Sequence, residues 1–74
     1  MERAFVCVTT RPLTVQKVAE EIKAVDGVES TYVMAGAYDL CFDVKKDNLD
    51  ELKYVIEKIA RMNDVRANLT LFRG

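Results

Sequence analysis

The spacing of apolar residues along this chain switches in the order two, about 3.6, two, two, about 3.6, two, which leaves few ways to fold it. Residues 3–10 (Arg-Ala-Phe-Val-Cys-Val-Thr-Thr) put Ala4, Val6 and Val8 on one side and Phe5, Cys7 and Thr9 on the other, as a central strand would. Arg11-Pro12 breaks that strand. Thr14 then stands where a helix cap is needed, ahead of Val15, Val18, Ala19, Ile22 and Val25, which form one helical stripe. Asp26-Gly27 ends the helix, with Gly27 suited to the left-handed position after its last turn.

Residues 28–35 read as a second strand, with Val28, Tyr32 and Met34 on one face and Thr31 and Val33 on the other. Gly36-Ala37 turns the chain, and residues 38–44 return with Leu40, Phe42 and Val44 opposing Asp39, Cys41 and Asp43. Asn48 with Glu51 fits a capping box for a second helix to about Met62, whose stripe is Leu49, Leu52, Val55, Ile56, Ile59 and Met62. Residues 65–72 form the last strand. Val65, Ala67, Leu69 and Leu71 are assigned to its core side, and Arg66, Asn68, Thr70 and Phe72 to the other. The order is βαββαβ: an α+β, ferredoxin-like domain with a four-stranded antiparallel sheet and both helices on one face.

With 74 residues, the sequence describes one domain, 1–74, near the lower limit for an adequate core. Small domains of this kind gain stability from a disulfide, a metal or a partner subunit. Two cysteines outside any C-x-x-C pair and no histidine speak against a metal site; Cys7 and Cys41 are expected as buried reduced thiols, with a disulfide between neighbouring strands as the alternative that a cytosolic setting disfavours. The net charge of −1 comes from 11 basic and 12 acidic residues with no basic block, so direct nucleic-acid binding is not expected. No apolar run reaches the roughly 18 residues of a membrane span, and Met1-Glu2-Arg3 opens a strand rather than a signal peptide. The expectation is a cytoplasmic protein without cofactor.

Two helices cover only one face of such a sheet. The other face is expected to carry Phe5, Cys7, Val33, Cys41 and Phe72, an apolar surface that calls for a partner. The simplest partner is a second copy packed sheet to sheet about a two-fold axis, a dimeric α/β barrel.

The candidate ligand site is the hairpin Met34-Ala35-Gly36-Ala37-Tyr38-Asp39. Gly36 permits positive φ, Tyr38 offers an amphipathic ring, and Asp39 places a carboxylate beside turn amides. Such a group can receive the ammonium of a zwitterion; it can equally serve only to keep a turn soluble. Asn68 and Thr70, two apart on the last strand, add hydrogen-bonding groups expected on Asp39's face.

Gly27-Val28, the run Met34 to Leu40, and Val65-Arg66-Ala67-Asn68-Leu69-Thr70 together resemble the effector (RAM) domain of Lrp/AsnC transcriptional regulators. The likeness runs from about Ala4 to Phe72. It implies sheet-paired dimers, often assembled into rings such as octamers, with amino-acid effectors bound in clefts between dimers. By resemblance Gly36, Tyr38 and Asp39 match the family's hairpin motif, and Thr70 the second threonine of its Thr-x-Thr strand signature. Ala35 stands where a threonine is common, and Asn68 replaces the first strand threonine. The chain has no room for the helix-turn-helix domain of full-length regulators. It therefore looks like a stand-alone effector domain that senses an amino acid or co-assembles with a full-length regulator.

Other classes fit less well. An ACT-like sensor shares the topology but extends its sheet side by side. A cofactor-free enzyme of the dimeric α/β barrel type leans on histidine or a buried acid, and no nucleophile with its base is evident here. An RNA-binding sheet needs adjacent aromatics, whereas Phe5 and Phe42 fall on opposite faces and Asp39 and Asp43 repel phosphate.

Overall fold

A computed structural model describes residues 1–73. The elements run β1 (Glu2–Thr10), α1 (Val15–Lys23), β2 (Val28–Val33), β3 (Leu40–Lys46), α2 (Leu49–Ala60) and β4 (Val65–Arg73). The strands form one sheet in the order β2-β3-β1-β4, and every neighbouring pair is antiparallel. This is the expected βαββαβ architecture.

The core lies between the sheet and both helices. Ala4, Val6 and Val8 of β1 and Leu40, Phe42 and Val44 of β3 meet Val18, Ala19 and Ile22 of α1 and Leu52, Val55 and Ile59 of α2. Each large side chain so buried contributes about 1.5–3 kcal/mol, and this layer is the main source of stability. Val15, Val25, Ile56 and Met62 pack at its margin, while Leu49, expected in the α2 stripe, is exposed.

Asn48 caps α2 as expected, its side-chain oxygen accepting the Glu51 N–H at 2.9 Å. Thr14 precedes α1 but does not cap it with its side chain; its hydroxyl donates to the Arg11 carbonyl at 2.7 Å instead. The same carbonyl accepts the Thr14 N–H at 3.1 Å, closing a tight turn that holds Leu13 fully exposed at φ +68°. Gly27 has the expected positive φ, +103°, but α1 ends at Lys23 with Ala24 as its C-cap, so the glycine serves the turn into β2 rather than the helix terminus.

Register decides which side chains share a face, because directly paired residues of antiparallel strands project to the same side. The helix-covered side has the rows Val33–Leu40–Val8–Asn68, Thr31–Phe42–Val6–Thr70 and Val28–Val44–Ala4–Phe72. The open side has Tyr32–Cys41–Cys7–Leu69, Asp43–Phe5–Leu71 and Lys45–Arg3–Arg73.

These rows correct two expected strand phases. Val33 and Phe72 belong to the helix-covered side, not the open one, and so do Asn68 and Thr70. Register shifts between Thr9 and Thr10 in the β1–β4 pairing, and between Val28 and Thr31 in the β2–β3 pairing. Each breaks the simple alternation, and a slip of one residue moves every side chain to the other face.

Candidate functional site

The open face is apolar, but its occupants differ in part from those expected. Phe5, Cys7 and Cys41 lie on it as anticipated, joined by Tyr32, Leu69 and Leu71 in place of Val33 and Phe72. Tyr32, Leu69 and Leu71 are 46%, 44% and 54% exposed, a large apolar cost for so small a domain. The Phe5 and Tyr32 rings lie 6.4 Å apart at 51°, a tilted pair. Between these larger side chains Cys7 and Cys41 are buried and free. Burial, with the Cys7 thiol alongside, pushes the Cys41 thiol up to about 12.

One end of this face is basic. Lys45, Arg3 and Arg73 stand side by side on three adjacent strands. Among the described residues the ion pairs are Lys17–Asp64, Lys23–Glu20, Lys46–Asp26 and Arg61–Glu57, and none reaches this row. Sequence reasoning found no basic block because the three cations are far apart in the chain; only strand register gathers them.

The hairpin lies at the opposite end of the sheet. Met34 N–H donates to the Asp39 carbonyl at 2.8 Å and closes the connection from β2 to β3. Gly36 takes φ +137° with open space where a side chain would stand, so its freedom serves the turn rather than a close contact. Met34 is exposed and Tyr38 half-buried. Asp39 is partly engaged: its Oδ2 accepts the Thr10 backbone N–H at 2.8 Å and the Thr10 hydroxyl at 3.4 Å. The carboxylate thus fastens the hairpin to the end of β1 through Oδ2 alone.

Asn68 and Thr70 stand two strands away from Asp39, in the rows of the helix-covered side. Asn68 pairs with Val8, whose carbonyl accepts the Asp39 N–H, so the two backbones are about 10 Å apart across two strand spacings. The Thr70 hydroxyl is closed off from solvent and has no hydrogen-bond partner. A groove of about 480 Å³ does exist, but it is lined by Val25, Asp26, Lys46, Asp50, Glu51, Tyr54, Val55 and Lys58, away from all the expected ligand residues. No helix among the described residues is long and apolar enough to cross a membrane. Nor do these residues contain a cluster of three or more His, Cys, Asp or Glu side chains suited to a metal ion.

A βαββαβ sheet with one bare apolar face and a hairpin at its end defines a small domain of the ferredoxin-like class. The family model of the Lrp/AsnC ligand binding domain matches residues 3–72, and the chain belongs to that family. An uncharacterised HTH-type transcriptional regulator of Pyrococcus furiosus is 35% identical over 72 residues, covering 92% of this chain and 48% of the regulator. The chain therefore spans about half the length of such relatives. A solved protein of Thermus thermophilus superposes with TM-score 0.92 at 31% identity, covering 100% of this chain and 94% of that one. A Neisseria meningitidis transcriptional regulator in complex with L-Met shares the fold with TM-score 0.82 at 16% identity, over 97% of this chain and 49% of that one.

Proposed function

We propose that this domain senses an amino acid and assembles with copies of itself, in the service of transcriptional regulation. The observation that carries the reading is the open sheet face, where Tyr32, Leu69 and Leu71 lie half exposed beside Phe5 in a chain of the Lrp/AsnC family. A second copy packed sheet to sheet would bury these side chains, and dimers would associate further into a ring such as an octamer. The ligand cleft is then formed between copies. Met34, Gly36, Tyr38 and Asp39 lie outside the described groove, at the end of the sheet, where a neighbouring copy would complete a cleft. Asp39's second oxygen receives the ammonium, hairpin amides the carboxylate, and exposed Asn68 of another copy supplies further hydrogen bonds. Thr70 is left out of this set because its hydroxyl is closed to solvent.

The role is that of a cytoplasmic regulator module rather than an enzyme. In a mixed assembly with helix-turn-helix-bearing regulators of the family it would alter their occupancy of DNA. The L-Met complex of the Neisseria protein supports an amino acid as the ligand class.

A thermal-shift screen of the twenty amino acids tests the sensing role. A ligand at a hundred times its Kd adds about 2.7 kcal/mol, which for a domain of this size raises the melting temperature by roughly 10–20 °C. At least one amino acid is expected to do so. A flat response to all of them would remove sensing from the account.

A further inference from the structure

We propose that Cys7 and Cys41 are a reversible dithiol–disulfide pair, which when oxidised ties β1 to β3 across the middle of the open face. The two are direct cross-strand partners on the two central strands, both are free, and both are buried, at 9% and 3% exposure. They are also the chain's only cysteines, so each thiol has one intramolecular partner.

Directly opposed residues hold their Cβ atoms about 4.5–5.5 Å apart, while a disulfide requires about 3.5–4.5 Å. The bond therefore forms with a pinch of the two strands of about 1 Å. A disulfide strained in this way is more readily reduced than a relaxed one, which makes it labile rather than a permanent staple. Tyr32 and Leu69 flank the pair in the same row, so the pinch falls at the centre of the apolar surface.

The oxidant class is a small-molecule disulfide such as glutathione disulfide. In the dissociated chain, whose open face is uncovered, the Cys7 sulfur, the more exposed of the two, attacks it, forming a mixed disulfide and releasing one glutathione thiolate. Cys41 then attacks the Cys7 sulfur, the protein disulfide forms and the second glutathione leaves. Two electrons pass from the protein dithiol to the glutathione disulfide, and the two thiol protons end on the two glutathiones. The buried Cys41 thiol, held protonated by its surroundings, makes the second step slow, so the pair equilibrates gradually.

Anaerobic equilibration of the purified protein with glutathione and its disulfide over a wide range of ratios, in mildly alkaline buffer, tests the pair. Acid quenching, alkylation in denaturant and intact mass measurement then count the thiols. The expected result is a doubly alkylated chain in reducing mixtures, converting to an unlabelled monomeric chain lighter by two hydrogens, with a two-electron dependence on the ratio. Cys7→Ser and Cys41→Ser, each taken alone, gain only a glutathione adduct. Retention of two alkylatable thiols at every ratio overturns the proposal, as does oxidation that stops at glutathione adducts or links separate chains.

Discussion

Asp39 reaches from the hairpin to the end of β1, where its carboxylate accepts the backbone N–H of Thr10 at 2.8 Å. Thr10 is only 8% exposed, so water is a poor substitute for this acceptor. One residue thus joins the β2–β3 turn to the sheet.

Asp39→Ala is expected to destabilise the domain by about 1.5–3 kcal/mol, the range for a lost hydrogen bond to a charged group. Asp39→Asn keeps an acceptor and should recover about half of that loss. Urea denaturation of both variants measures the structural part. If the amide variant folds but no longer responds to the amino acid that stabilises the parent, the charge also serves the ligand.

The two positive-φ glycines separate strain from crowding. At Gly27 an added Cβ would stand 2.8 Å from Lys46 Cδ and 3.1 Å from the Lys45 carbonyl oxygen. At Gly36 nothing lies within 4 Å. Both alanine substitutions incur the left-handed backbone cost of about 1–2 kcal/mol. Gly27→Ala should cost more than Gly36→Ala, by roughly a further 1 kcal/mol, since a backbone oxygen must shift. Equal losses in thermal denaturation would contradict the packing described around Gly27.

Thr70 keeps a hydroxyl that is shut away from water and unpartnered on the helix-covered side. Thr70→Val preserves the shape and removes the unsatisfied group, so stability should rise by about 1 kcal/mol. The amino-acid response should be unchanged. A fall in stability would show that the hydroxyl has a partner.

Arg3 sits directly across from Lys45 on one side and Arg73 on the other. Like charges in direct opposition are destabilising, so Arg3→Glu should stabilise the domain by up to about 1 kcal/mol at low salt. The gain should shrink as ionic strength rises, because exposed charges are screened. Denaturation at two salt concentrations checks both statements.

The contrast between the helices and the outer strands explains what the sequence could tell. The stripes Val18–Ala19–Ile22 and Leu52–Val55–Ile59 are local patterns with a single apolar side, and they enter the core as expected. In β4 both sides carry apolar residues, and hydrophobicity alone assigned Leu69 and Leu71 to the core. Pairing with Cys7 and Phe5 instead turns them to the open face, beyond a register shift that no residue of β4 announces. Tyr32 and Val33 exchange faces for the same reason in β2. The hairpin residues were legible as a group because turn chemistry is local. The tie from Asp39 to Thr10 was not, since it spans 29 residues and depends on where β1 ends.

Sedimentation of the purified chain at micromolar concentration tests the central claim most directly, namely that the face bearing Tyr32, Leu69 and Leu71 is covered by a second copy. The account predicts particles of even multiples of the 8.4 kDa chain, reduced to single chains by Leu69→Glu with Leu71→Glu. A folded 8.4 kDa species as the only particle in the parent protein would contradict it.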